Sequence, residues 1–146
     1  MSPTAGGAEG GRGPAARLGI KPGMLVQQIN GSDDADGDLL ADVVATSGTE
    51  LVAEDSDDVV DVVLLWWREG DGDLVDALVD ALTPLAGSGV IWLLTPKAGR
   101  PGHVEPSDIS EAAPLVGLSS TSSVSAAPEW SGVRLVAPKT SRSSRR

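Results

Sequence analysis

Five stretches of the chain place apolar and polar positions in patterns that predict their conformation. Met24–Ile29 is a short apolar segment following Pro22-Gly23, a pair that reads as a turn because Pro fixes φ and Gly accepts positive φ at the next position. Val59–Trp67 runs Val-Val-Asp-Val-Val-Leu-Leu-Trp-Trp, near-continuous and β-branched, as suits a central strand covered on both faces. Val90–Thr95 has the same character. Between these strands the apolar positions change to helical spacing: Leu39, Leu40, Val43 and Val44 in one segment, and Val75, Leu78, Val79 and Leu82 in another.

Those periods predict a helix over Leu39–Thr46, capped by Asp38 and stopped near Gly48. They predict a second over Leu74–Leu85, capped by Asp71 or Asp73 and stopped at Gly87. Val59–Thr95 is then a βαβ unit with a right-handed crossover. Ser107 caps a short helix through Ala113, which Pro114 ends. Ser119–Ala126 and Val133–Ala137 form an antiparallel hairpin about a Pro128–Gly132 turn. The expected fold class is α/β: a three-layer Rossmann-like domain over residues 20–137, with a mostly parallel sheet and a C-terminal antiparallel hairpin. Residues 1–19, rich in Gly, read as a flexible leader, and residues 138–146 as a disordered basic tail. Leu51–Glu54 has strand character, but Asp55–Asp58 is too short for the crossover of roughly a dozen residues that joins parallel neighbours.

Composition narrows the function classes. The chain of 146 residues has no Cys, which excludes a disulfide scaffold, a thiol nucleophile and a thiolate metal site, and points to a bacterial-type cytoplasm. Its longest apolar runs fall far below the roughly 20 residues that span a bilayer, so a membrane role is not expected. The missing Phe and Tyr, with Lys and Asn also scarce, fit codon bias in a gene rich in G and C.

Several motifs together resemble a known family. They are Leu18-Gly-Ile-Lys-Pro-Gly-Met24, Asp57–Arg68, Gly89–Lys97, Gly102–Ile109 and Trp130–Pro138. This set resembles an uncharacterised bacterial family, domain of unknown function 3052, over nearly the whole chain apart from its tails. The resemblance implies no reaction, cofactor or catalytic residue. A weaker similarity is to Rossmann-like methyltransferases that use S-adenosylmethionine, whose last βαβ unit is likewise followed by a helix and an antiparallel hairpin. Two departures separate the chain from that pattern. Asn30–Asp38 has no G-x-G-x-x-G and is crowded with carboxylates that repel a cofactor's anionic groups, and a strand and helix of the pattern are missing.

Charge is strongly segregated. The net charge of −10 divides into −15 over residues 33–80 and +5 elsewhere. Asp34, Asp36 and Asp38 have calcium-loop spacing, but Leu39 stands where the loop requires Gly and Ala45 where it requires Glu, so no metal site is expected. Asp73, Asp76 and Asp80 share one helix face, opposite the apolar stripe, and offer either a solvated face or a partner-binding one. Between Lys21 and Arg134 the basic groups are Arg68, Lys97 and Arg100, joined by the sole His, His103. All follow the carboxyl ends of two expected parallel strands, where open sheets bind ligands, so with Asn30 and Thr95 they form a candidate anion site. Glu69, Asp71 and Asp73 compete for the same charges.

His103 has no nucleophile motif beside it, so no catalytic residue is assigned. Trp66 and Trp67 point to opposite faces of their strand, Trp92 belongs to the core, and Trp130, set in a turn, is the expected exposed contact. Nucleic-acid binding through Arg142–Arg146 is disfavoured by the acidic body. The residues therefore favour a non-catalytic protein-binding or regulatory module, without cofactor, whose partner is another protein. The alternative is a binding protein for an anionic small molecule or nucleotide, in the form of a degenerate methyltransferase-like domain.

Overall fold

A computed structural model describes residues 13–31 and 35–137. The expected leader lies outside the described residues up to Arg12, but from Pro14 the chain is ordered. Pro14–Arg17 is a single-turn helix, α1, with Pro at its first position, and Ala15 and Leu18 are buried. The expected tail, 138–146, lies outside the described residues.

The elements that follow are β1 (Val26–Ile29), α2 (Gly37–Ser47), β2 (Val60–Trp66), α3 (Leu74–Leu82), β3 (Leu85–Pro96), α4 (Pro106–Leu115), β4 (Ser119–Ala127) and β5 (Trp130–Val136). The strands form one sheet in the order β1-β2-β3-β5-β4, and Val52 adds a one-residue parallel bridge to Gln27 outside β1. β1/β2 and β2/β3 are parallel, whereas β3/β5 and β5/β4 are antiparallel. The sheet is thus mixed in equal parts rather than mostly parallel, because β5 lies antiparallel along Val90–Pro96 of β3, from Val90↔Val136 to Pro96↔Trp130.

Side chains along β2 and β3 alternate between two cores, as a two-residue period requires. Val62, Leu64, Trp66, Trp92 and Leu94 pack under α1 and α2, with Leu39 and Val43. Val63, Leu65, Trp67, Ile91 and Leu93 pack under α3 and α4, with Leu78, Ile109 and Ala112. Three layers result, and Trp66 and Trp67 do face opposite sides. Trp92 Nε1 donates to Leu18 O at 2.8 Å, tying the turn after α1 to the sheet centre.

Helix ends follow local chemistry with small offsets. Asp36, not Asp38, caps α2: its carboxylate accepts from Leu39 N at 2.8 Å, and Gly48 ends the helix at φ 82°. Asp73 caps α3, accepting from Val75 N at 2.9 Å. That helix stops at Leu82, ahead of Pro84, and the residues expected in its last turn instead begin β3 at Leu85. Pro114 lies inside α4 rather than ending it. Val79, counted in the apolar stripe of α3, is 49% exposed, whereas the neighbouring Leu78 is fully buried in the core.

Leu78→Ala should therefore cost about 2–5 kcal/mol in urea denaturation, as for other core leucines. Val79→Ala should change stability by no more than about 0.5 kcal/mol, as for surface positions. A large loss at Val79 would show that α3 is rotated from this placement.

Candidate functional site

The carboxyl ends of β1, β2 and β3 converge on one polar network. β1 ends at Ile29, and Asn30 turns the chain in the left-handed region at φ 63°, a conformation Asn tolerates better than other residues with a Cβ. Its side chain locks the turn: Asn30 Nδ2 donates to Trp66 O at 2.9 Å and to Asp71 Oδ2 at 3.1 Å. Glu54 Oε1 accepts from Asn30 N at 3.1 Å.

Arg68 follows β2 directly. Its Nη1 donates to Asn30 O at 3.2 Å and to Asp71 Oδ2 at 3.3 Å, and its own backbone N–H reaches the same Oδ2 at 3.0 Å. The Arg68 and Asp71 side chains are only 15% and 26% exposed, so this pair is less screened than a surface one. The Arg68 guanidinium also lies over the Trp130 ring, 5.2 Å from its centroid. Trp130 meets Trp66 edge to face, with centroids 4.7 Å apart and planes at 84°.

Trp130 is thus no exposed contact. It is the first residue of β5, opposite Pro96 and Ala127, and is 4% exposed. The hairpin turn is confined to Pro128 and Glu129, three residues shorter than the expected Pro128–Gly132 turn, and this places the indole in the sheet facing Trp66.

Other candidate groups are engaged nearby with separate partners. Lys97 Nζ donates to Ser125 Oγ at 2.6 Å, Arg100 pairs with Glu129 at 3.0 Å, and His103 Nδ1 lies 2.9 Å from Pro96 O, with Nε2 4.0 Å from Glu105. Thr95 is buried in β3, facing Ser131. Asn30 and Arg68 are therefore brought into contact, while Lys97 and Arg100 reach across to the β4–β5 hairpin and His103 bonds back to the end of β3. The cavity beside Arg100, Glu129 and Trp130 measures about 40 Å³, too small for a nucleotide. On α3, Asp76 and Asp80 are exposed and Asp73 serves as the cap. Among the described residues no group of three or more acidic or His side chains is placed to hold a metal ion, and no helix is long and apolar enough to cross a membrane.

One feature was not anticipated. The segment 53–59 leaves the Val52 bridge, passes Asn30 through Glu54, and returns to the start of β2, crossing the face of β1 on the α3 side. Gln27, projecting from β1 toward that segment, donates its Nε2 to Ala53 O at 2.6 Å and Glu54 O at 3.2 Å. A non-helical crossing leaves backbone carbonyls to be satisfied, and Gln27 does so. The signal in the sequence was a polar residue inside the apolar run Met-Leu-Val-Gln-Gln-Ile.

A family model described as a protein of unknown function (DUF3052) matches residues 15–139. The chain belongs to the DUF3052 family. Uncharacterized proteins of Mycobacterium tuberculosis and Mycobacterium bovis are 55% identical to this family member over 125 residues, covering 86% of this chain and 78% of theirs. Its fold is similar to a SAM-dependent methyltransferase from Aquifex aeolicus, with a TM-score of 0.55, 12% identity, and coverage of 84% and 88% of the two chains. A methyltransferase from Thiobacillus denitrificans in complex with S-adenosyl-L-homocysteine gives 0.54 and 10% over 86% and 91%.

That likeness raises the question of whether the residues at the strand ends fit S-adenosylmethionine, and they do not. The turn after β1 holds Asn30 where a Gly-rich turn would let backbone approach a ligand, and its N–H and side chain are already bonded. Glu54, positioned as the acid that would take ribose hydroxyls in a dinucleotide fold, is spent on Asn30 N. Arg68 bridges from the end of β2 to Asn30 O after β1 and is itself countered by Asp71.

With four Trp and no Tyr or Phe, tryptophan emission reports this network directly. All four indoles are buried, so iodide should quench the native protein weakly and the denatured protein strongly. Asp71→Ala strips an acceptor shared by three donors and should cost about 1–3 kcal/mol, with a rise in iodide quenching as Trp130 loosens. Strong quenching of the native wild type would place Trp130 at the surface.

Proposed function

We propose that this DUF3052 protein is a non-catalytic binding module built on a methyltransferase-like scaffold, and that its acidic surface, including Asp76 and Asp80 of α3, engages another protein. The observation that carries this reading is the closed network at the strand ends: Arg68, the basic group nearest the ligand position of the fold, is held by Asn30 O, Asp71 and the Trp130 ring. Electrostatic complementarity supports the partner class, since the −15 of residues 33–80 steers a basic surface toward the domain.

The fold likeness itself favours a second reading, in which Asn30, Arg68, Thr95, Lys97, Arg100 and His103 bind an anionic small molecule after Arg68 and Asp71 separate. A thermal-shift series with S-adenosylmethionine, S-adenosylhomocysteine, ATP and inorganic phosphate distinguishes the two. The module reading expects no shift with any of them, and a protein partner captured from lysate at low salt and released at high salt. A shift with any of these ligands that Arg68→Ala abolishes would sink it in favour of the second reading.

A further inference from the structure

A cavity of about 340 Å³ lies at the amino-terminal ends of the strands, at the opposite end of the sheet from Asn30 and Arg68. That volume falls in the range of small-molecule sites. Its walls mix apolar and charged side chains. Leu18 and Val62, each 3% exposed, supply the apolar part with Val90, and Lys21, Asp61 and Arg134 supply the charges. The three charged residues come from separate parts of the chain: the turn between α1 and β1, the start of β2 and the end of β5. Asp61 is set by an irregularity of the sheet. Val60 pairs with Leu85 and Val62 with Val90, so Asp61 alone stands opposite Ala86–Gly89, and it is the one exposed residue of β2. A bulge of this kind re-aims a side chain. It also requires Gly89, where a Cβ would lie 2.8 Å from Asp61 O.

Opposite charges that share a cavity can neutralise one another, but here they do not. Among the described residues no ion pair joins Asp61 to Lys21 or Arg134. Asp61 Oδ2 accepts from Leu25 N at 2.9 Å, and Arg134 Nη1 donates to Thr121 Oγ1 at 3.1 Å, so each is held by a neutral partner. We infer that this cavity is a binding site for a free α-amino acid with an aliphatic side chain. Its carboxylate pairs with Lys21 and Arg134, its ammonium pairs with Asp61, and its side chain covers Leu18, Val62 and Val90. A simple anion would meet Asp61 as a like charge, and a simple amine would meet Lys21 and Arg134 as like charges, whereas a zwitterion pairs with both. The inference goes beyond the module reading and does not depend on it.

The test titrates the full chain with L-leucine, glycine, 4-methylpentanoate and leucinamide, followed by two-dimensional ¹⁵N NMR. L-leucine should shift the amides of Gly19, Lys21, Asp61, Val62 and Arg134. Glycine lacks the aliphatic side chain, 4-methylpentanoate the ammonium and leucinamide the carboxylate, so each should bind at least about tenfold more weakly. Asp61→Asn keeps an oxygen for Leu25 N, and Lys21→Ala alters an exposed side chain, so both variants should fold. Each should weaken leucine binding by about tenfold. No shift with leucine, shifts centred elsewhere, or equal binding of leucine and any of the three analogues would overturn the site. So would a leucine affinity unchanged in both variants. The module reading fails separately, on a ligand shift abolished by Arg68→Ala.

Discussion

β2 and β3 are apolar on both faces, and a strand buried on both faces must be covered twice. Val62, Leu64 and Trp66 need one cover, Val63 and Leu65 another, and a chain of this size has few helices to supply them. The result is α1 and α2 on one side, α3 and α4 on the other, with crossovers bringing the strands parallel. Parallel alignment then puts the carboxyl ends of β1, β2 and β3 together, so Asn30, Arg68 and Pro96 meet at one edge although they are far apart in the chain. The polar network there is a by-product of two-sided burial as much as of any individual residue.

Where the cover runs out, the structure changes character. The connection from Val52 to β2 is too short for a helix, so it crosses β1 as extended chain, and the face that a helix would have sealed with apolar side chains is sealed by backbone and Gln27. Carboxylates tolerate this position because the segment remains at the surface. The acidity of residues 50–58 and the absence of a helix are thus two aspects of one solution: a chain that cannot bury side chains here carries ones that prefer water.

Much of this was legible in advance. The two-residue alternation of Val59–Trp67 placed Trp66 and Trp67 on opposite faces, and helical spacing located α2 and α3, because periodicity records which side of each element is buried. Errors fell where the outcome depends on partners distant in sequence. The fate of Trp130 turned on a two-residue hairpin and on Trp66 waiting across the sheet. The order of Ala15 and Leu18 depended on Trp92 donating to Leu18 O. The candidate bases follow the carboxyl ends of β2 and β3, but their proximity to carboxylates and carbonyls is a property of loops that no period encodes. Gln27 was visible as a polar intrusion in an apolar strand, yet its meaning required the crossing segment.

The outermost strand of the hairpin has a further consequence. β4 runs Ser-Ser-Thr-Ser-Ser-Val-Ser-Ala-Ala, and its pairing with β5 slips between Ser120 and Ser122 and again between Ser125 and Ala127. An open sheet edge is a template for unwanted strand addition between molecules, and irregular registers that bend the edge, together with short hydroxyl side chains in place of apolar ones, remove much of what a second strand would gain. The serine-rich edge therefore bears on solubility: it lets a sheet with so apolar a centre end in water without recruiting its neighbours.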